Sequence, residues 1–167
     1  MIVEMMPMYI HIIFSFAAAT GFAVFLNGPR KTLFISGTVG MTSWIVYVLL
    51  RRMGGDIMLS NFVGAYIAAI MSELLARKFK KPTIIFLVPG IITLIPGLGL
   101  YNTMYYALEG DFLEALKVGT NVIFASGAIA LGSIVAASWY RARAMKERKT
   151  IMLNLVKRSQ LNKNKKL

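Results

Sequence analysis

Between Phe86 and Leu100 the chain reads FLVPGIITLIPGLGL, with two Pro-Gly pairs, Pro89-Gly90 and Pro96-Gly97, seven residues apart in an otherwise almost wholly apolar run. Proline removes one backbone donor and clashes with the carbonyl four residues earlier, while glycine relaxes the backbone just after it. The spacing predicts short helical pieces, one restarting near Pro89 and another near Pro96, since proline is favoured at a helix start. Each restarted helix offers free N–H groups and a partial positive charge that favour a carboxylate, and unwound carbonyls accept amines or protons. Thr93 lies between the pairs, and Asn102 follows Pro96 by one to two turns. Pro89, Gly90, Thr93, Pro96, Gly97 and Asn102 are therefore a candidate binding set for a small polar or zwitterionic solute. Packing alone is the competing reading, because Pro and Gly are also frequent in membrane helices. A polar cavity at the break would separate the two.

Other chemistry-bearing residues are sparse. Glu73 is the one acid placed inside a predicted apolar span, and an intramembrane carboxylate is by default a proton or substrate site. It is the proton-coupling candidate, although Arg77 at i+4 also suits a plain interfacial ion pair. The single histidine, His11, falls early in the first span, where hydrogen bonding to headgroups is the commoner role. Asn61 and Asn121 suit bonding between helices. With no cysteine and one histidine, metal-ligand clusters are not expected, nor is any cofactor. A phosphate-binding glycine loop, a histidine paired with a nucleophile and a pair of intramembrane carboxylates are all missing from the sequence, so an enzyme is not expected.

The elements that must hold these residues are read from composition. Of 167 residues, 57% are hydrophobic, and the mean hydropathy is +0.64, too apolar for an ordinary soluble domain. Apolar runs near the length that crosses hydrocarbon fall at 7–26, 33–50, 57–76, 84–108 and 119–140, separated by charged punctuation. The predicted fold is an all-α integral membrane bundle of about five transmembrane helices, the fourth broken by the Pro-Gly pairs. The first run follows MIVEMM, which has an acid and no base, so it reads as a retained helix rather than a cleaved leader. Small residues recur every four positions at Gly64, Ala68 and Ser72 and at Ala128, Gly132 and Ala136, giving faces for close packing within the chain or against a partner.

Charge sets the expected orientation. The net charge is +12, and residues 141–167 hold ten of the 19 Lys and Arg with a single acid, Glu147. Basic residues also gather after the first and third runs, so an outside N-terminus and a cytoplasmic C-terminus obey the positive-inside pattern, with Arg51 and Arg52 in the second loop as the discordant pair. The basic tail suits anionic lipid headgroups. Nucleic acid is not expected as a partner, because no base-stacking aromatic follows Tyr140.

From Ser72 to Asp111, with Glu73 in SELLAR, Pro82 before the fourth run, VPGIITLIPG from Val88 to Gly97 and an acidic loop from Glu109, the sequence resembles the threonine/serine exporter family. The likeness is to its shorter membrane module, which also occurs as the small subunit of two-component exporters, including one linked to succinate efflux. It spreads less sharply over 33–140. The resemblance implies ion-gradient-driven export of threonine and serine, or of a small dicarboxylate such as succinate, across a bacterial plasma membrane. It further implies a second, longer membrane subunit as partner, with a homo-oligomer as another way to complete the site. A non-transporting scaffold is the competing class. The expected organisation is an exporter module at 1–140 and a basic cytoplasmic tail at 141–167, which has no counterpart in the family pattern.

Overall fold

The computed structural model describes residues 6–164, with side chains described for 6–143 and Met145. Six helices follow in order: α1 (Met8–Phe25), α2 (Arg30–Arg52), α3 (Ile57–Phe79), α4 (Ile84–Ile92), α5 (Gly97–Leu108) and α6 (Phe112–Asn164). Among the described residues there is no strand. Helices α1, α2 and α3 and the 112–143 part of α6 are each long and apolar enough to cross a membrane, and α4 with α5, bent by 56°, is together apolar enough for a broken fifth span or a re-entrant pair. The chain is a multi-pass membrane protein.

Each tight turn ends its helix with one residue at positive φ: Asn27, Gly54, Lys80 and Gly110. Helix starts are capped where the sequence supplies an acid. The Asp56 carboxylate accepts from the Met58 N–H at 3.0 Å, and Asp111 accepts from the Glu114 N–H at 3.2 Å. The acidic stretch from Asp111 thus opens α6.

Helix α6 does not stop where its apolar run does. It continues through Asn164, a length of about 80 Å at about 1.5 Å per residue. No Gly or Pro follows Gly132, and the Arg, Lys, Ala, Met and Glu after Tyr140 are good helix formers. The side chains of most of the basic tail, like residues 1–5 and 165–167, lie outside the described residues.

Small residues bring the helices together, as in membranes generally. Helix α3 buries Ser60, Gly64, Ala65, Ala68, Ala69, Ser72 and Ala76 along its length. A Cβ at Gly132 would meet the Phe62 carbonyl oxygen at 2.4 Å, and one at Gly64 would meet the Ser43 carbonyl at 3.1 Å. Both small-residue faces are therefore used inside the chain, α6 against α3 and α3 against α2. A central cluster of Ala65, Leu94 and Ile129, flanked by Trp44, Tyr47 and Ile91, joins α3, the end of α4, and α6.

Helix α4 packs against α1, α2 and α3, whereas α5 packs against α6. The break hands the chain from one side of the bundle to the other. At one end of the bundle Arg77 lies over the Tyr140 ring at 4.4 Å and Arg143 over Trp139 at 4.2 Å, a belt of cations on aromatics suited to an interface. At the other end the discordant arginines are engaged by backbone: Arg51 donates to the Gly55 carbonyl at 2.9 Å and Arg52 to the Met6 carbonyl.

Candidate functional site at the broken helix

In hydrocarbon, a backbone group without a partner costs several kcal/mol, so the broken span has to satisfy its own backbone or borrow donors from a neighbour. Pro89 does not start a helix, as the sequence suggests; it sits inside α4 and is buried. Its missing N–H would leave the Ile85 carbonyl, four residues earlier, without a donor. Ser36 of α2 supplies one, its hydroxyl donating to Ile85 O at 3.1 Å. Gly90 lets this contact close, since a Cβ there would meet Val39 Cγ1 at 2.7 Å. Ser36→Ala is expected to cost about 1–2 kcal/mol, seen as a lower unfolding midpoint of the detergent-solubilised protein. An unchanged midpoint would mean that the carbonyl has another donor.

The true break spans 93–96. The Leu94 and Ile95 N–H groups bond back to Ile91 O at 3.0 Å and Ile92 O at 3.3 Å. Pro96, at φ −76° and ψ 63°, is the centre of an inverse γ-turn closed by Gly97 N–H to Ile95 O at 2.8 Å. Helix α5 then restarts at Gly97. Its first-turn donors, the Leu98 and Gly99 N–H groups, find no acceptor among the described residues.

Thr93 turns the other way. Its hydroxyl donates to the Gly40 carbonyl of α2 at 3.3 Å, and the residue lines a cavity of about 550 Å³ between α1, α2 and the end of α4. His11, Ser15 and Trp44 line the same cavity, with Ile10, Phe14 and Ala18 among the apolar walls. His11 is only 5% exposed. The Trp44 indole N–H donates to His11 Nδ1 at 3.2 Å, while His11 Nε2 is buried and has no partner among the described residues. The Ser15 hydroxyl donates back to the His11 carbonyl. Thr20 Oγ1, Ser43 Oγ and Ser133 Oγ are likewise buried without a partner among the described residues, and the accessible wall of the cavity is almost wholly apolar.

A family model described as "Threonine/Serine exporter, ThrE" matches residues 11–139. The chain belongs to the threonine/serine exporter family. A threonine/serine exporter of Corynebacterium glutamicum is 26% identical over 125 residues, covering 75% of this chain and 25% of that protein. The chain spans about a quarter of the length of that curated relative. No solved structure matches.

In this exporter-family chain the six residues expected to bind solute do not form one cluster. Thr93 lines the cavity, and Pro89 and Gly90 are buried behind it where α4 meets α2. Pro96, Gly97 and Asn102 are not among the residues that line it; a Cβ at Gly97 would meet nothing within 4 Å. Asn102 is half-buried on α5. Glu73 is half-buried on α3, away from the cavity, and it makes no ion pair with Arg77, whose guanidinium lies over Tyr140 instead. His11, in the first turn of α1, is buried against α2, with its Nδ1 accepting from Trp44. The residues that sequence reasoning passed over are Ser15, Ser36, Gly40 and Trp44. The one legible signal was a serine four residues after the only histidine, on the same helical face.

Proposed function

We propose that the chain is a subunit of a secondary transporter exporting small amino acids, threonine and serine foremost, across a bacterial plasma membrane. The observation that carries this reading is Thr93: a family match covers the chain, and at its broken helix a hydroxyl lines a cavity. The solute occupies that cavity against Thr93, with Pro89 and Gly90 shaping the helix behind it. Pro96, Gly97 and Asn102 form a second polar region at the α5 start, where free N–H groups would face a partner or water. An ion gradient drives export, Glu73 being the proton-coupling candidate. A transporter, not an enzyme, is the activity that the family membership supports.

The partner is a second, longer membrane subunit. Its presence is supported by the C. glutamicum relative, four times the length of the matched segment, and by α5, which buries no residue. The N-terminus lies outside and the C-terminus in the cytoplasm, which puts the Arg77 and Arg143 belt on the cytoplasmic side. The basic tail then lies along anionic lipid.

Cell efflux assays test the site. Thr93→Val keeps the volume and loses the hydroxyl, so threonine efflux should need about 5- to 150-fold more substrate, the equivalent of about 1–3 kcal/mol. Thr93→Ser should restore most of it. Unchanged kinetics for the valine variant at normal expression would remove Thr93 from the site. In the same assay Glu73→Gln should blunt the response to a pH gradient; a full response would leave Glu73 an interfacial group.

A further inference from the structure

Met6, just before α1, and Ile10, Phe14 and Ala18 on it recur every four residues and so share one face. With Trp44 of α2 and Thr93 after α4 they wall the open cavity of about 550 Å³. The polar groups at this wall are spent elsewhere. The Trp44 indole N–H goes to His11 Nδ1, the Ser15 hydroxyl to the His11 carbonyl and the Thr93 hydroxyl to the Gly40 carbonyl, while His11 itself is buried. What remains to face an occupant is almost wholly hydrocarbon.

The groove also has a depth and a charged end. From Met6 to Ala18 it runs about 18 Å at about 1.5 Å per residue, close to the roughly 15 Å of hydrocarbon in one leaflet. At its Met6 end stands Arg52, the last residue of α2, which is exposed and donates to the Met6 carbonyl. Arg52 makes no ion pair among the described residues. A guanidinium carries several N–H donors in a fork, so one bond to a carbonyl leaves most of it for a second partner. The acid nearest to it in sequence, Asp56, is engaged in capping α3 at the Met58 N–H.

We propose that this groove holds one acyl chain of an anionic phospholipid whose phosphate sits on Arg52. Lipid tails are as apolar as the groove, so a chain gains little by entering it, and the slot only sets where the chain lies. The guanidinium decides which lipid stays, because a zwitterionic headgroup carries its own cation beside the phosphate and an anionic one does not. The site also gives Arg52, discordant with the positive-inside pattern, a ligand at its own end of the bundle. A solute that used the same cavity would have to displace the chain; that consequence rests on the exporter reading, and the lipid site does not.

The test uses the full chain with Trp139→Phe, which leaves Trp44 as the one tryptophan, in phosphatidylcholine nanodiscs. Phosphatidylglycerol with brominated acyl chains is titrated in, and phosphatidylcholine with the same chains is titrated in parallel, since bromine quenches an indole that it touches. Half-maximal quenching of Trp44 is expected at about fivefold lower mole fraction of phosphatidylglycerol, the preference that one basic residue at the surface confers. Arg52→Gln should bring the two lipids level, and Arg52→Lys should keep part of the difference. Ala18→Phe, which fills the slot and leaves Arg52 in place, should reduce quenching by both. Equal quenching by the two lipids with Arg52 intact overturns the proposal without use of any variant at position 52, and so does an Arg52→Gln protein that keeps the preference. Added threonine should relieve the quenching. Selective quenching that threonine leaves unchanged upholds the lipid site and overturns its sharing with the solute, while the exporter reading is judged by efflux alone.

Discussion

Reconstituted into liposomes with no other protein, the purified chain is expected to give no saturable flux of threonine or serine. The reason lies at the α5 start. Leu98 and Gly99 present N–H groups with no acceptor among the described residues, Gly97 faces open space, and α5 buries no residue. Exposed to lipid, such donors would cost several kcal/mol, so this side of the break needs protein or a water-filled passage against it. Within the chain the small-residue faces of α3 and α6 are already joined to α2 and to each other. The proposed partner subunit would supply the missing wall. Flux should appear when a longer membrane protein of the same family is added. Robust, saturable flux from the chain alone would show that it needs no hetero-partner.

A second large effect is expected at Gly40. A Cβ built there would meet Ala19 Cβ of α1 at 2.4 Å and the Pro89 carbonyl of α4 at 2.9 Å, with Thr93 Cγ2 at 3.6 Å. Three helices meet on this one hydrogen atom. Gly40→Ala should therefore push α1 or α4 off α2 at a cost of about 1–3 kcal/mol, opening the cavity wall and displacing Thr93. Threonine efflux should fall to background even where some folded protein survives. Gly21→Ala is the control, because a Cβ there meets nothing within 4 Å and helix propensity favours alanine by about 1 kcal/mol. The two variants are compared by monodisperse yield, unfolding midpoint and efflux. Equal behaviour at the two positions would contradict the packing described here.

The spans and the broken fourth helix were legible because they rest on local rules. Apolar runs of membrane length and proline's missing donor act within a few residues of where they are read. What the sequence hid depends on contacts between distant segments. Pro89 stays inside α4 because Ser36, on another helix, replaces the lost bond. The i to i+4 rule suggested a Glu73–Arg77 pair, but Tyr140 of α6 takes the guanidinium. The partner of His11 was equally hidden: Trp44, 33 residues away on α2, donates to its Nδ1 and helps to bury it. Thr93 was singled out as a hydroxyl between two Pro-Gly pairs, of which only the second breaks the helix. That it meets a cavity, while Gly97 and Asn102 do not line it, is a matter of how α4 and α5 diverge by 56°.

The central claim is tested most directly by efflux of labelled threonine, serine and succinate from bacterial cells lacking endogenous exporters. Efflux is measured with and without this chain, in the presence of a longer membrane protein of the same family from the same genome. The expected result is threonine and serine efflux that requires both proteins and collapses with the ion gradient, with succinate at background. Amino-acid efflux unchanged by the presence of this chain, or a rise confined to succinate, would contradict it.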